Sequence, residues 1–212
     1  MNDNILNVPY LTQPTPITCQ STCLKMFGMY LAGLYYMSSP VQGISILDIW
    51  KDINEGAGRP SHDRNSYQNM AWWLHKYFPN LNFTVKTSRH VDEAVSYIVN
   101  SIDNGFPVMV STNHSRTDGH IILVVGYKDY YSGQISNAKL VCHDPYGKFN
   151  PEVLSTQYGV TGQKRGLEGG YSLINGGEVG PGKAVVYSHE GIRRIRTDKH
   201  SSGTFFLITV SV

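Results

Sequence analysis

A change of hydrophobic period at Pro107 constrains this chain more than any other feature. Before it, apolar side chains recur every three or four residues; after it, they gather in short β-branched runs. Val91, Ala94, Val95, Ile98, Val99 and Ile102 keep helical spacing up to Gly105 and form the clearest of four predicted helices. Ser45, with Asp48 three residues on, predicts the N-cap of another, whose stripe Ile46, Ile49, Trp50 and Ile53 runs until Gly56. A third is expected from about Ser66 to Phe78, with Tyr67, Met70, Ala71, Leu74 and Phe78 inward and Pro79 as its stop. Of Trp72 and Trp73, one is expected in the core and the other partly exposed. The earliest helix begins close to Cys19, after an extended lead-in (Val8 to Leu11) and a loop stiffened by Pro14 and Pro16. Cys23, Phe27, Leu31 and Leu34 share one of its stripes.

Beyond Pro107, five segments read as strands: Val108 to Thr112, His120 to Tyr127, Lys139 to His143, Ala184 to Tyr187 and Phe205 to Val212. Gly162 to Gly182 contains eight glycines and reads as a long surface loop. Helices followed by strands, instead of strict alternation, predict an α+β fold with an antiparallel sheet. We expect one domain over residues 1–212, its helical half at about 1–105 and its sheet half at about 106–212.

Charge and cysteine content narrow the function classes. Eighteen basic against sixteen acidic residues, a formal net charge of +2, is too weak a balance for a dedicated polyanion binder, so no nucleic-acid partner is expected. Arg193, Arg194 and Arg196 with Lys164 and Arg165 read as a solvated basic face. No stretch approaches the ~18 consecutive apolar residues of a membrane span, and Met1 to Tyr10 lacks the pattern of a signal peptide. The expectation is a chain cytoplasmic on synthesis. Three cysteines, Cys19, Cys23 and Cys142, are an odd and small set, which argues for reduced thiols over a disulfide framework. With His143 they invite a zinc reading, but one C-x3-C and an adjacent Cys-His lack the paired short spacings of zinc sites; neither metal nor cofactor is expected.

What remains is thiol chemistry. A thiol attacks an acyl group as thiolate, and the unpaired N–H groups of a helix N-terminus favour that anion; Cys19 is placed there, whereas Cys23 falls on the inward stripe. Such chemistry also needs a base, a group that orients it and donors for the oxyanion. Gln13 precedes Cys19 by six residues across the proline loop. His120 opens the apolar strand that ends Val-Gly-Tyr127, rigidly held yet reachable from solvent, as a base must be. Asp144 closes a later strand, where it can accept the other imidazole N–H. His143 alternates with Asp144 and so points to the opposite face, while His114 sits in a loop just before His120, at the rim of the cleft. His62, His75, His90, His189 and His200 carry no signal beyond surface placement.

Gln13-Pro-Thr-Pro-Ile-Thr-Cys19-Gln-Ser-Thr-Cys-Leu-Lys-Met26, the Gly119-His120 strand and Asp144-Pro-Tyr-Gly147 together resemble the papain-like cysteine peptidases of the double-glycine-peptidase-like branch. The resemblance implies Cys19 as nucleophile, His120 as general base and acid, Asp144 as orienting carboxylate and Gln13, with the Cys19 N–H, as oxyanion-hole donor. Gln20 follows the nucleophile where many members have glycine. Asn175-Gly-Gly177 to Val186-Tyr-Ser188 is similar to such domains in phage-encoded lysis and cell-wall proteins. The implied function is hydrolysis of a peptide or amide bond through a Cys19 acyl-enzyme, with stem peptides of the bacterial cell wall (peptidoglycan) as substrate, as in phage endolysins. The enzyme would reach the wall when another lysis factor releases it. A protease acting on a protein or leader peptide is the first alternative; a catalytically silent peptide- or glycan-binding module is the second.

Overall fold

The computed structural model describes residues 2–15, 17–35, 40–112, 120–131, 134–147, 149–150, 170–171, 182–189, 191–192 and 204–211. In chain order these form β1 (Asn2–Ile5), α1 (Cys19–Leu34), α2 (Ile46–Asn54), α3 (Tyr67–Tyr77), β2 (Asn82–Ser88), α4 (Val91–Asp103), β3 (Val108–Thr112), β4 (His120–Tyr130), β5 (Lys139–His143), β6 (Phe149–Asn150), β7 (Gly170–Tyr171), β8 (Val185–Tyr187) and β9 (Phe205–Ser211). The predicted helices all form. Ser45 caps α2, its hydroxyl accepting from the Asp48 N–H at 3.1 Å. Trp73 is fully buried and Trp72 partly so. Most of the glycine-rich stretch 162–182 lies outside the described residues, as do His114, His200, the segment 172–181 and the basic cluster.

Seven strands form one antiparallel sheet in the order β2-β9-β3-β4-β5-β8, with β1 also paired to β4. Side chains alternate across it. Met109, Ile121, Leu123, Val125, Val141 and Ile208 pack with α1 and α3 on one face. Val110, Ile122, Val124, Leu140, Cys142 and Leu207 pack with Ala94, Val95, Ile98 and Ile102 of α4 on the other. Covering both faces explains why the strands read as unbroken apolar runs.

Two strands of this sheet were not foreseen, and both come from the first 105 residues; the short β6 and β7, which pair with each other, were not foreseen either. β2 alternates only Phe83 and Val85 against polar neighbours, a short signal between two strong helical ones, yet it pairs with β9 along its whole length. β1 lies beside the second half of β4, beyond the stretch that pairs with β3. β4 itself runs on to Tyr130, three residues past the expected end, because β1 and β5 both continue to bond it. Its register against β5 shifts between Val124 and Gly126, a bulge. At Gly126 a Cβ would stand 2.5 Å from the Asn4 carbonyl oxygen, so only glycine lets β1 approach.

α1 is a central helix, buried on nearly every side from Cys19 to Gly28 and not only along the stripe of Cys23, Phe27 and Leu31. Leu34, counted on the inward stripe, is 44% exposed because the helix emerges from the core at its last turn. Gly28 permits close packing; a Cβ there would stand 2.7 Å from Val41 Cγ1. Buried Lys25 spends all three of its ammonium hydrogens on the carbonyls of Val41, Gln42 and Ile44, at 2.5, 2.8 and 2.6 Å, pinning the segment that leads into α2.

Lys25→Met keeps the volume but strands those carbonyls. It should lower the unfolding free energy by roughly 2–3 kcal/mol in urea titration, whereas a surface substitution such as Lys51→Met should stay within about 0.5 kcal/mol.

Candidate active site

The β4–β5 register builds the site. Leu123 faces His143 across the two strands, so His120, the first residue of β4, and Asp144, one residue beyond β5, stand at the same end of the pair. His120 Nε2 lies 2.7 Å from Asp144 Oδ1, with side chains 2% and 0% exposed. Asp144 is held on every side. Its Oδ1 accepts the Tyr146 N–H at 2.9 Å, its carbonyl accepts the Tyr10 hydroxyl at 3.1 Å, and its own N–H donates to the Gly182 carbonyl at 2.9 Å. Gly182 in turn donates its N–H to the Tyr10 hydroxyl oxygen at 2.9 Å. A Cβ on Gly182 would collide with the Asp144 carbonyl, so this residue must be glycine. Tyr146 sets its ring edge-on to the His120 imidazole, centroids 6.2 Å apart.

Cys19, the first residue of α1, stands near enough to His120 to raise its imidazole pKa. Burial alone would push the imidazole pKa down, but the Asp144 charge and hydrogen bond outweigh it, together with the Cys19 contact, and raise it from 6.5 to about 10. Cys23 and Cys142 are fully buried, and desolvation pushes both thiols well above the ordinary range. Neither is placed for nucleophilic work.

The helix start beneath Cys19 is open. Thr18, at the N-cap position, makes no side-chain cap bond; its hydroxyl donates to the Thr15 carbonyl at 3.0 Å instead. The hydroxyls of Ser21 and Thr22 donate back to the Thr18 carbonyl at 3.1 and 2.8 Å, stiffening the turn that carries the sulfur. Gln13 is tied in from the other side, its backbone N–H donating to the Pro145 carbonyl at 2.9 Å. Its amide Nε2 donates to the Thr15 carbonyl at 2.7 Å, while Oε1 is buried with no partner among the described residues.

The structure thus gathers Cys19, His120 and Asp144 and anchors Gln13 to the segment just after Asp144. His143 is elsewhere: its Nε2 donates to the Val8 carbonyl at 3.0 Å and its Nδ1 accepts the Ala184 N–H at 3.1 Å. Burial holds its pKa below the ordinary value, in keeping with a neutral ring that staples the lead-in segment to β8. Expected to be reachable from solvent, His120 is instead only 3% exposed, since Tyr146 and the Asp144 turn enclose it. Sequence reasoning noted Gln20 only as a departure from glycine, and it missed Tyr10. Gln20 Oε1 lies 3.5 Å from Cys19 Sγ. Tyr10 had no signal, because its hydroxyl meets Asp144 only through the fold. Among the described residues no three His, Cys, Asp or Glu side chains cluster as metal donors, and no helix is long and apolar enough to cross a membrane.

The pairing fixes a pH dependence. A histidine whose folded pKa is raised stabilises the protein fully below its unfolded value of 6.5, and that contribution is lost as pH rises through about 10. Histidine NMR titration should find His120 protonated well above pH 7. In Asp144→Asn the charge is gone and burial prevails, so the ring should titrate at far lower pH and the melting temperature should lose its decline toward pH 10. An unchanged His120 titration in that variant would show that Asp144 does not set it.

The sequence matches the model of the Peptidase_C39-like family over residues 5–168, a span that includes Gln13, Cys19, His120 and Asp144. No curated protein matches the chain. Among solved structures it is similar to UfSP from C. elegans, with a TM-score of 0.56 and 13% identity, over 99% of this chain and 34% of that one. The chain therefore spans about a third of that structure's length, and the likeness is one of fold. With the family model matched over residues 5–168, well over half of the chain, the chain belongs to the Peptidase_C39-like family.

Proposed function

We propose that this protein hydrolyses a peptide or related amide bond through an acyl-enzyme on Cys19, with His120 as base and acid, Asp144 as its orienting carboxylate and Gln13 as an oxyanion donor. The observation that carries this reading is the convergence of Cys19 and the Asp144 carboxylate on one buried imidazole. In the cycle, the Cys19 sulfur attacks the carbonyl carbon as thiolate, its proton held on His120. The oxyanion is met by the Cys19 N–H, free at the uncapped start of α1, and by the second hydrogen of Gln13 Nε2, whose first is spent on Thr15. His120 then protonates the leaving nitrogen as the C–N bond breaks. Water, activated by the same imidazole, attacks the thioester, releases the acid and returns the thiol.

The substrate we propose is the stem peptide of bacterial cell wall, cleaved as phage endolysins cleave it. Its support is the resemblance of the stretch from Asn175 to Ser188 to domains of lysis proteins.

Three measurements check these assignments. Site-resolved iodoacetamide labelling should modify Cys19 ahead of Cys23 and Cys142, and Cys19→Ala should abolish turnover. Gln13→Ala should retain folding and lose roughly 10²-fold in rate, the usual weight of one oxyanion donor. Purified protein incubated with sacculi should release new free amines. No release from sacculi, alongside cleavage of an unfolded protein substrate, would replace the wall peptide by a protein or leader peptide.

A further inference from the structure

The residue after the nucleophile departs from the glycine of many relatives, and the structure shows what it touches. Gln20 is 2% exposed and sets its amide oxygen 3.5 Å from Cys19 Sγ. The other end of that amide is not free to turn: Nε2 donates to Asn65 Oδ1 at 2.6 Å. Asn65 sits on the loop between α2 and α3, with φ of 59°, a left-handed conformation that asparagine tolerates. Its N–H donates to Asn54 Oδ1 at 2.8 Å, and Asn54 Nδ2 donates to the Trp50 carbonyl at 2.9 Å. Asn69, at the start of α3, fastens the same loop through the Ser61 N–H and carbonyl, both at 2.9 Å. A chain of amides therefore runs from α2 to the sulfur and dictates which end of Gln20 faces it.

An acceptor oxygen beside a thiol competes for its one hydrogen. Gln20 Oε1 takes the Cys19 S–H and so favours the neutral thiol over the thiolate. We propose that Gln20, oriented by Asn65, is a latch on the nucleophile: while the S–H points to Oε1 the sulfur is held as thiol, and release of the amide lets it ionise. Asn65 is exposed where Gln20 is not, so an amide-bearing substrate that reaches it can take over the Asn65 side chain and let Gln20 turn. Gln20 is thus a positioning residue that couples substrate binding to thiol reactivity. The latch rests on the proposed role of Cys19.

The test measures alkylation of Cys19 by iodoacetamide at fixed pH, resolved by mass spectrometry, without substrate. Asn65→Gly removes the amide's anchor while keeping the positive φ comfortable. It should speed Cys19 labelling roughly threefold to tenfold, the weight of one neutral hydrogen bond. Asn65→Asp keeps an acceptor for Nε2 and should label no faster than wild type. Gln20→Met, which removes the acceptor at similar volume, should match Asn65→Gly and serves if that variant fails to fold. A merely structural role would lower the melting temperature of Asn65→Gly and Gln20→Met without raising the labelling rate, and that result overturns the latch. Slower labelling in Asn65→Gly overturns it too, since the amide would then be holding its N–H toward the sulfur. Labelling of Cys23 or Cys142 with Cys19 inert in every variant overturns the nucleophile assignment beneath it.

Discussion

The buried pairing of His120 with Asp144 is the interaction on which the rest of this structure depends. A carboxylate at 0% exposure is costly unless its oxygens and neighbouring backbone groups are satisfied. Here the imidazole, the Tyr146 N–H, the Tyr10 hydroxyl and Gly182 supply that satisfaction from three separate stretches of chain. The lead-in before α1 is drawn across the sheet to deliver Tyr10. The β4–β5 register must then be held to the residue, because a slip by one would turn Asp144 to the opposite face and bring His143 in its place. His143 guards against that slip by taking partners of its own, Val8 and Ala184.

A rigid nucleophile follows from the same economy of polar groups. α1 starts in the core with Thr18, Gln20, Ser21 and Thr22 all buried, and each hydroxyl or amide among them is bonded locally or to a neighbouring loop. Thr18 turns its hydroxyl into the Thr15 loop, so the first turn keeps its N–H groups for an incoming anion. Lys25, two residues past Cys23, fixes the far side of the helix to the segment before α2. Polar residues that a stripe analysis counts as solvent-facing therefore build the platform for the sulfur.

Legibility in the sequence tracked the strength of local periodicity. α4 has six apolar residues at unbroken helical spacing, and β3 and β5 are short β-branched runs bounded by turn residues; all three appear at their expected places. β2 escaped because its stability comes from pairing with β9, more than a hundred residues away, and not from its own alternation. Leu34 misled because a stripe records which residues share a side and not where a helix leaves the core. Gln20 stood out by its position after the nucleophile, but its partner Asn65 shares no pattern with it.

By itself, the sequence determined the residue types available for thiol chemistry, the helix that begins at Cys19, and the division into helical and strand-forming segments. Those properties are local: side-chain spacing and turn chemistry act over a few residues, so they are written in short stretches. Only the tertiary structure decided that one imidazole meets the carboxylate beside Cys19, that His143 is a staple, and that Tyr10 and Gly182 belong to the site. Such contacts join residues dozens to more than a hundred positions apart. Their geometry is set by strand register and helix packing, which depend on the whole core at once.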